Sequence, residues 1–168
     1  MGKRKFLWVL LFLIIFSTIS LVLFSPIYAG SYAGHSDGRL SDEQIEIIVL
    51  INNQRSENGA KNLWYSETLG EIANVRVNDM LERNYFSHYT PEGTNVFNLM
   101  DSWEIRASYR GENLARGEPS VVTPENVIEA WMKSKSHRDN LLRKAYRNIG
   151  VGIGTNGTEK IIVVLFTN

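Results

Sequence analysis

The chain has 168 residues, equal numbers of acidic and basic side chains (18 of each) and no cysteine. This length accommodates one domain with a short appendage, and the balanced charge gives no general attraction for nucleic acid. The lack of cysteine excludes a disulfide framework, so an exported domain of this sequence has to be stabilised by its apolar core.

The first 29 residues have the pattern of an export segment. Three basic residues precede an apolar run over 6–24, which is broken only by Ser17, Thr18 and Ser20. As a helix this run would be about 28 Å long, close to the thickness of a bilayer core, with the basic cluster on the cytoplasmic side. Residues 1–29 are therefore predicted to be a signal anchor or a cleaved signal peptide. The remainder is expected to be extracytoplasmic, membrane-anchored by a single N-terminal helix or secreted.

A flexible linker is predicted over residues 30–40, where Gly30, Gly34 and Gly38 recur. From Ser41 onward the pattern is that of a folded domain, 41–168. Ser41 and Gln44 form a capping box that opens a helix ending at the Asn-Gly pair 58–59. The predicted helix carries the apolar residues Ile45, Ile48, Val49 and Ile51.

Two further helices follow in the first half of the domain. Ser66 opens an amphipathic helix that ends near Asn84, and a short helix is predicted from Asn95 to Trp103. The loop between them, residues 85–94, carries His88. Residues 108–115 are weakly strand-like. Three tryptophans, Trp64, Trp103 and Trp131, are expected in the core.

The second half opens with a strong helix start, Thr123 followed by Pro124. Ser136 and Asp139 then predict the cap of another short helix, which places His137 in its first turn. Residues 149–154 and 160–167 are predicted to be the strands of a hairpin, with a type I′ turn at Asn-Gly 156–157.

The final strand indicates the fold class. Residues 161–166 are apolar at every position, so both faces of that strand are expected to be covered. Glycines 150, 152 and 154 would let another layer approach the backbone closely. The fold is therefore predicted to be α+β, a three-layer α-β-α sandwich with a small, mainly antiparallel sheet, preceded by an N-terminal hydrophobic helix.

Three residues in separate segments could carry chemistry: His88, Glu112 and His137. Two imidazoles and a carboxylate are the minimum for an open zinc-type site. Unpaired N–H groups at a helix N-terminus favour a neutral ring at His137. Spacing alone does not show that the three meet, and by itself it favours three ordinary polar residues at loop and cap positions.

Four blocks in sequence order resemble the bacterial type of CAP domain, from the family of cysteine-rich secretory proteins, insect venom antigens and plant pathogenesis-related proteins. The blocks are 52–55 with Gly59, 86–93, 111–115, and 131–140 with 149–152. The resemblance implies a cleft lined by His88, Glu112 and His137 that can hold a divalent metal such as zinc, with no organic cofactor. Many members carry a second glutamate where this chain has Ser134, so metal binding is expected to be weaker.

Three functions stay open. The favoured one is a binding module for a lipid, a polysaccharide or a partner protein, attached to the membrane if the N-terminal helix is uncleaved. The alternative is a metal-assisted hydrolase in which His88 and His137 hold the ion and Glu112 polarises a water. The third is a structural envelope protein. Cysteine is absent and no His-Glu-x-x-His motif occurs, so the candidate catalytic residues are the same three and the question of catalysis stays open.

Overall fold

The structure is a computed structural model that describes residues 39–168. The predicted anchor or signal segment, 1–29, and residues 30–38 of the predicted linker lie outside the described residues. Within 39–168, no helix combines the length and the apolar character needed to cross a membrane.

The described residues form an α+β fold with a mixed sheet, as the sequence predicts. In chain order the elements are α1 (Asp42–Glu57), β1 (Trp64–Tyr65), α2 (Glu67–Glu82), α3 (Val96–Ser102), β2 (Arg110–Gly117), α4 (Pro124–Lys133), α5 (Lys135–Leu141), β3 (Asn148–Thr155) and β4 (Lys160–Thr167). The four strands lie in the order β1-β3-β4-β2; β1 and β3 are parallel, and the other two pairings are antiparallel.

Most helices begin where their caps predict. Ser41 and Gln44 form the expected capping box at α1, and the side chains of Ser66 and Thr123 accept backbone hydrogen bonds at the starts of α2 and α4. Asn95 caps α3 in the same way. These signals are local, because each joins a side chain to a backbone N–H two or three residues away.

The buried face of α1 contains only some of the apolar residues named in the prediction. Ile47 and Ile51 are fully buried, whereas Ile45 and Val49 are 46% and 49% exposed. Both sides of α1 carry branched apolar residues, so the choice of face depends on the layer that α1 covers. The inner stripe also includes the polar residues Gln44 and Arg55.

Helices cover both faces of the sheet. On one face, α1, α4 and α5 pack against Ile162, Val164 and Phe166 of β4. On the other face, α2 and α3 pack against the alternate residues Ile161, Val163 and Leu165. Successive side chains of a strand point to opposite faces, so a strand covered on both sides has to be apolar throughout.

Helix α2 lies directly on the backbone of β3. A Cβ atom added at Gly150 would lie 2.3 Å from the carbonyl carbon of Leu69, and one added at Gly152 would lie 2.4 Å from the carbonyl carbon of Ala73. No side chain fits between these two elements. The close approach predicted from the alternating glycines is confirmed.

Two local predictions are wrong. The β3–β4 turn is not type I′, because only Gly157, at φ +92°, has the left-handed backbone that this turn requires at both central residues. The side-chain oxygen of Asn156 instead accepts hydrogen bonds from the backbone N–H groups of Thr158 and Glu159. Of the tryptophans expected in the core, only Trp131 is buried; Trp64 is 77% exposed and Trp103 is 39% exposed.

Candidate functional site

The three predicted site residues line one cleft of about 230 Å³. His88 lies in the loop between α2 and α3, Glu112 lies in β2, and His137 lies in the first turn of α5. Asn113, Ser136, Asp139, Asn140 and Arg143 complete the lining. The fold thus brings together residues that are far apart in sequence, while their role as metal ligands stays a prediction.

His88 and Glu112 form the closest pair in the cleft. Nδ1 of His88 lies 2.6 Å from Oε2 of Glu112. The Glu112 side chain is 3% exposed and that of His88 is 51% exposed, so a buried carboxylate holds a ring that reaches solvent. Because a carboxylate oxygen only accepts, Nδ1 of His88 carries a hydrogen, and in the neutral ring Nε2 is then an acceptor.

Arg76 of α2 also belongs to the site, although its sequence position did not reveal it. Its side chain is 3% exposed, and its Nε lies 3.4 Å from Oε1 of Glu112. The pair is an ion pair without hydrogen-bond geometry. Nη2 of Arg76 donates to the carbonyl of Ser87 at 2.5 Å, and Nη1 donates to the hydroxyl of Tyr85. The only signal in the sequence is an arginine within the apolar stripe of α2.

Helix α5 starts earlier than predicted. Its N-cap is Ser134 rather than Ser136, yet Ser134 makes no side-chain capping bond. The hydroxyl of Ser134 instead lies 2.9 Å from Nδ1 of His137. His137 remains in the first turn, as predicted, and its ring stacks against Trp131 with centroids 6.3 Å apart.

The environment of His137 favours its neutral form. Burial lowers the pKa of the imidazole, and the nearby His88 lowers it further. Desolvation disfavours a charged imidazole, and so does positive charge on a neighbouring group. A neutral ring is the form that binds a metal or accepts a proton.

A chain of amide side chains ties α5 to β2. Nδ2 of Asn140 donates to Oδ1 of Asn113 at 2.9 Å, and Nδ2 of Asn113 donates to the carbonyl of His137 at 3.2 Å. The hydroxyl of Tyr146 lies 2.7 Å from Oδ1 of Asn140. Only glycine fits at 111, because a Cβ atom there would lie 2.3 Å from this hydroxyl.

Arg55 has a structural role near the cleft. Its guanidinium is fully buried and donates to the carbonyls of Leu141 at 2.6 Å and of Lys61 at 2.9 Å. Burial lowers the pKa of Arg55. The side chain thereby provides a hydrogen-bond donor for the carbonyl at the C-terminal end of α5.

An apolar groove of about 460 Å³ adjoins the cleft between β2 and α4. Ser134 and His137 line it at the cleft end. Its other lining residues are mainly apolar: Phe86, Leu114, Ala115, Val121, Val122, Val127, Ala130 and Trp131, with Arg116 and Asn126. The size lies in the range of small-ligand sites, whereas the cleft alone is smaller.

Across the described part of the chain, no three side chains of histidine, aspartate or glutamate are grouped closely enough to hold a metal ion by themselves. The cleft therefore offers two imidazoles and a carboxylate already bonded to one of them. Any ion bound there would need water or a ligand atom to complete its coordination.

Comparison with known proteins places this geometry in a family. Residues 48–166 match the family model described as "CAP: Cysteine-rich secretory protein family". The chain is 38% identical over 113 residues to YkwD of Bacillus subtilis, covering 67% of this chain and 43% of that protein. The chain thus spans less than half of this relative.

Two solved structures share the fold. An extracellular protein of Bacillus anthracis that contains an SCP domain is 24% identical, with a TM-score of 0.64, covering 75% of this chain and 40% of that one. An outer surface protein of Borrelia burgdorferi is 23% identical, with a TM-score of 0.68, covering 77% of this chain and 96% of that one. The fold and the family match agree, and the chain, although it lacks cysteine, belongs to the CAP family of cysteine-rich secretory proteins.

Proposed function

We propose that residues 41–168 are an extracytoplasmic binding module whose ligand occupies the His88–His137 cleft and the adjoining apolar groove, with a divalent metal such as zinc between the two rings. The observation that carries this proposal is the way the imidazoles are held. Each ring is bonded through Nδ1, His88 to Glu112 and His137 to Ser134, and where Nδ1 donates in that bond the Nε2 of the neutral ring is left for a ligand.

The donor set suits a weakly held ion. Neutral imidazole nitrogen is a common zinc ligand, and a carboxylate on the other ring nitrogen fixes the orientation of a ligating ring. Glu112 makes this contact with Oε2, while its buried Oε1 has no hydrogen-bond partner among the described residues. Because Oε1 faces the Arg76 guanidinium, the third ligand is expected to be water or an atom of the bound ligand. The metal would supply a Lewis acid to a bound ligand atom.

The groove narrows the class of ligand. Its lining is mainly apolar, and it meets the polar cleft at His137, which lines both. A ligand with a polar end and an apolar part would be bound by both regions. Among a lipid, a glycan and a protein, this favours a lipid or an apolar protein segment over a plain polysaccharide.

An extracytoplasmic location is part of the proposal. The relatives from Bacillus anthracis and Borrelia burgdorferi are described as an extracellular protein and an outer surface protein. The basic and apolar start of this chain is consistent with export. We propose that residues 1–29 anchor the domain to the membrane or are removed on export.

The metal-assisted hydrolase is the second candidate, and the pairing of His88 with Glu112 favours it. A carboxylate that orients an imidazole at 2.6 Å is also the arrangement of a general base. Incubating the full chain with peptidoglycan and with protein substrates distinguishes the two. Turnover that is lost in a His88→Ala, His137→Ala variant would favour the hydrolase.

Zinc binding tests the main proposal. The full chain in mild detergent is titrated with zinc chloride, and its thermal unfolding is compared with that of the His88→Ala, His137→Ala variant. At a free zinc concentration 100 times Kd, binding to the native state alone stabilises by about 2.7 kcal/mol. We expect a rise in Tm for the wild-type chain only. Equal responses would refute the metal site, since His35 remains in both.

A further inference from the structure

We propose that Arg76 is a positioning residue of the cleft, whose guanidinium fixes both the loop that carries His88 and the carboxylate that orients its ring. This deepens the proposed function and rests on it in one respect, the role of His88 as a ligand. The orientation of the His88 ring itself can be measured without any metal.

The burial of Arg76 indicates that its contacts are specific. The residue lies on the inner face of α2 among Ile72, Ala73, Val77 and Met80, which are all buried. A charged group in such a place is unfavourable unless partners surround it. Here the fork of the guanidinium faces a carboxylate, a carbonyl and a hydroxyl in three directions. Lysine, with a single ammonium group, cannot reproduce this arrangement.

The partners of Arg76 lie at both ends of the His88–Glu112 pair. The carbonyl that accepts from Nη2 at 2.5 Å belongs to Ser87, the residue before His88. The carboxylate 3.4 Å from Nε is that of Glu112, which contacts the His88 ring with its other oxygen. Arg76 thus restrains the backbone on one side of the ring and the acceptor on the other. The tautomer of a histidine follows the bond made by one of its nitrogens, so the ring should respond when Arg76 is removed.

Arg83 provides a matched control at the end of the same helix. Like Arg76, it lies 5.5 Å from the centre of the Tyr85 ring, and it pairs with Asp79 at 3.3 Å. Its other carboxylate partner is Glu92 at 2.7 Å, on the surface. Asp79 also lies 3.6 Å from Nη1 of Arg76, but neither carboxylate is part of the His88–Glu112 pair. We therefore expect loss of Arg83 to remove a neighbouring cation and to leave that pair in place.

The experiment reads the tautomer of His88 in the metal-free full chain by ¹⁵N-edited NMR of the imidazole, in mild detergent with chelator. We expect a proton on Nδ1 in the wild-type chain and in Arg83→Met. In Arg76→Met we expect a shift toward the form protonated on Nε2. The signals of His35 serve as an internal reference in every sample.

Zinc affinity is the second readout. Loss of a residue that orients a ligating ring typically lowers metal affinity by about 10–100-fold, and we expect such a loss in Arg76→Met and a smaller one in Arg76→Lys. A folded Arg76→Met chain with an unchanged His88 tautomer would overturn the assignment. If Arg76→Met does not fold, Arg76→Lys decides, and a wild-type tautomer in that variant would overturn it. If no chain binds zinc, the wild type included, but the tautomer of His88 still shifts in Arg76→Met, the result would support the positioning role of Arg76 and reject the metal proposal.

Discussion

The hydroxyl of Ser134 lies 2.9 Å from Nδ1 of His137 and does not cap α5, although Ser134 occupies the N-cap position of that helix. A serine at this position usually accepts a backbone hydrogen bond from the first turn. Here the side chain holds an imidazole ring instead. The residue that replaces an expected carboxylate therefore still acts on the site, by orienting one of its rings.

Removing this hydroxyl should affect the ring more than the fold. We expect Ser134→Ala to change the free energy of unfolding little, because no cap is lost, and to lower the zinc affinity of the proposed site. Ser41→Ala is the matched control, since Ser41 does cap its helix. We expect the free energy of unfolding of that variant, measured with urea, to fall by about 1 kcal/mol and its zinc affinity to be unchanged. The opposite pattern would show that Ser134 acts as an ordinary cap.

The charge of Glu112 should matter for stability as well as for the site. Glu112→Gln keeps the shape of the side chain but leaves the buried guanidinium of Arg76 with Asp79, 3.6 Å from Nη1, as its remaining carboxylate. Breaking a buried ion pair costs about 3–5 kcal/mol, and because Asp79 compensates in part we expect a loss at the lower end of this range in urea unfolding. Glu92→Gln, in the exposed pair with Arg83, should change stability little. Equal losses in the two variants would contradict the role given to Arg76.

His137 should make stability depend on pH in a defined direction. Since its pKa is lowered in the folded state, the unfolded chain takes up the proton first as pH falls. The stability contributed by the neutral ring is present above the unfolded pKa of about 6.5 and is lost as pH falls below it.

Urea unfolding of the wild-type chain and of His137→Gln, between about pH 5 and 7.5 with chelator present, measures this contribution. We expect the wild-type advantage to shrink toward acid. A difference between the two chains that stays constant, or that grows toward acid, would show that His137 is not held in its neutral form. His35→Gln serves as the control for a histidine outside the described residues.

The close packing of Gly111 against Tyr146 can be tested with substitutions at both positions. We expect Gly111→Ala to cost about 1–3 kcal/mol, because its Cβ would lie 2.3 Å from the Tyr146 hydroxyl. Tyr146→Phe removes that hydroxyl, so the double variant should lose less than the sum of the two single losses. Additive losses in urea unfolding would mean that the clash lies elsewhere, for instance with Asn140 at 2.5 Å.

The sequence predicts those features that depend on neighbours in the chain. The starts of α1, α2 and α4 follow from Ser41, Ser66 and Thr123, because a cap joins residues within one turn. The burial of β4 follows from its continuous apolar run.

Features that depend on contacts between distant segments are not predicted in this way. Arg76 resembles any arginine of an amphipathic helix until the 85–94 loop and β2 are placed beside it. The inner face of α1 could not be chosen either, because apolar residues lie on both sides of that helix. Likewise, the family resemblance indicates that Ser134 replaces a carboxylate, but the bond from Ser134 to His137 depends on where α5 begins.

The backbone contact between α2 and β3 has a consequence for how the cleft can adapt. Because no side chains separate α2 from the sheet at Gly150 and Gly152, we expect α2 and the sheet to move together as one rigid unit. Arg76 and Glu112 both belong to this unit. Because Arg76 and Asn113 also tie the His88 loop and α5 to this unit, we expect ligands of different size to be accommodated by the side chains that line the groove.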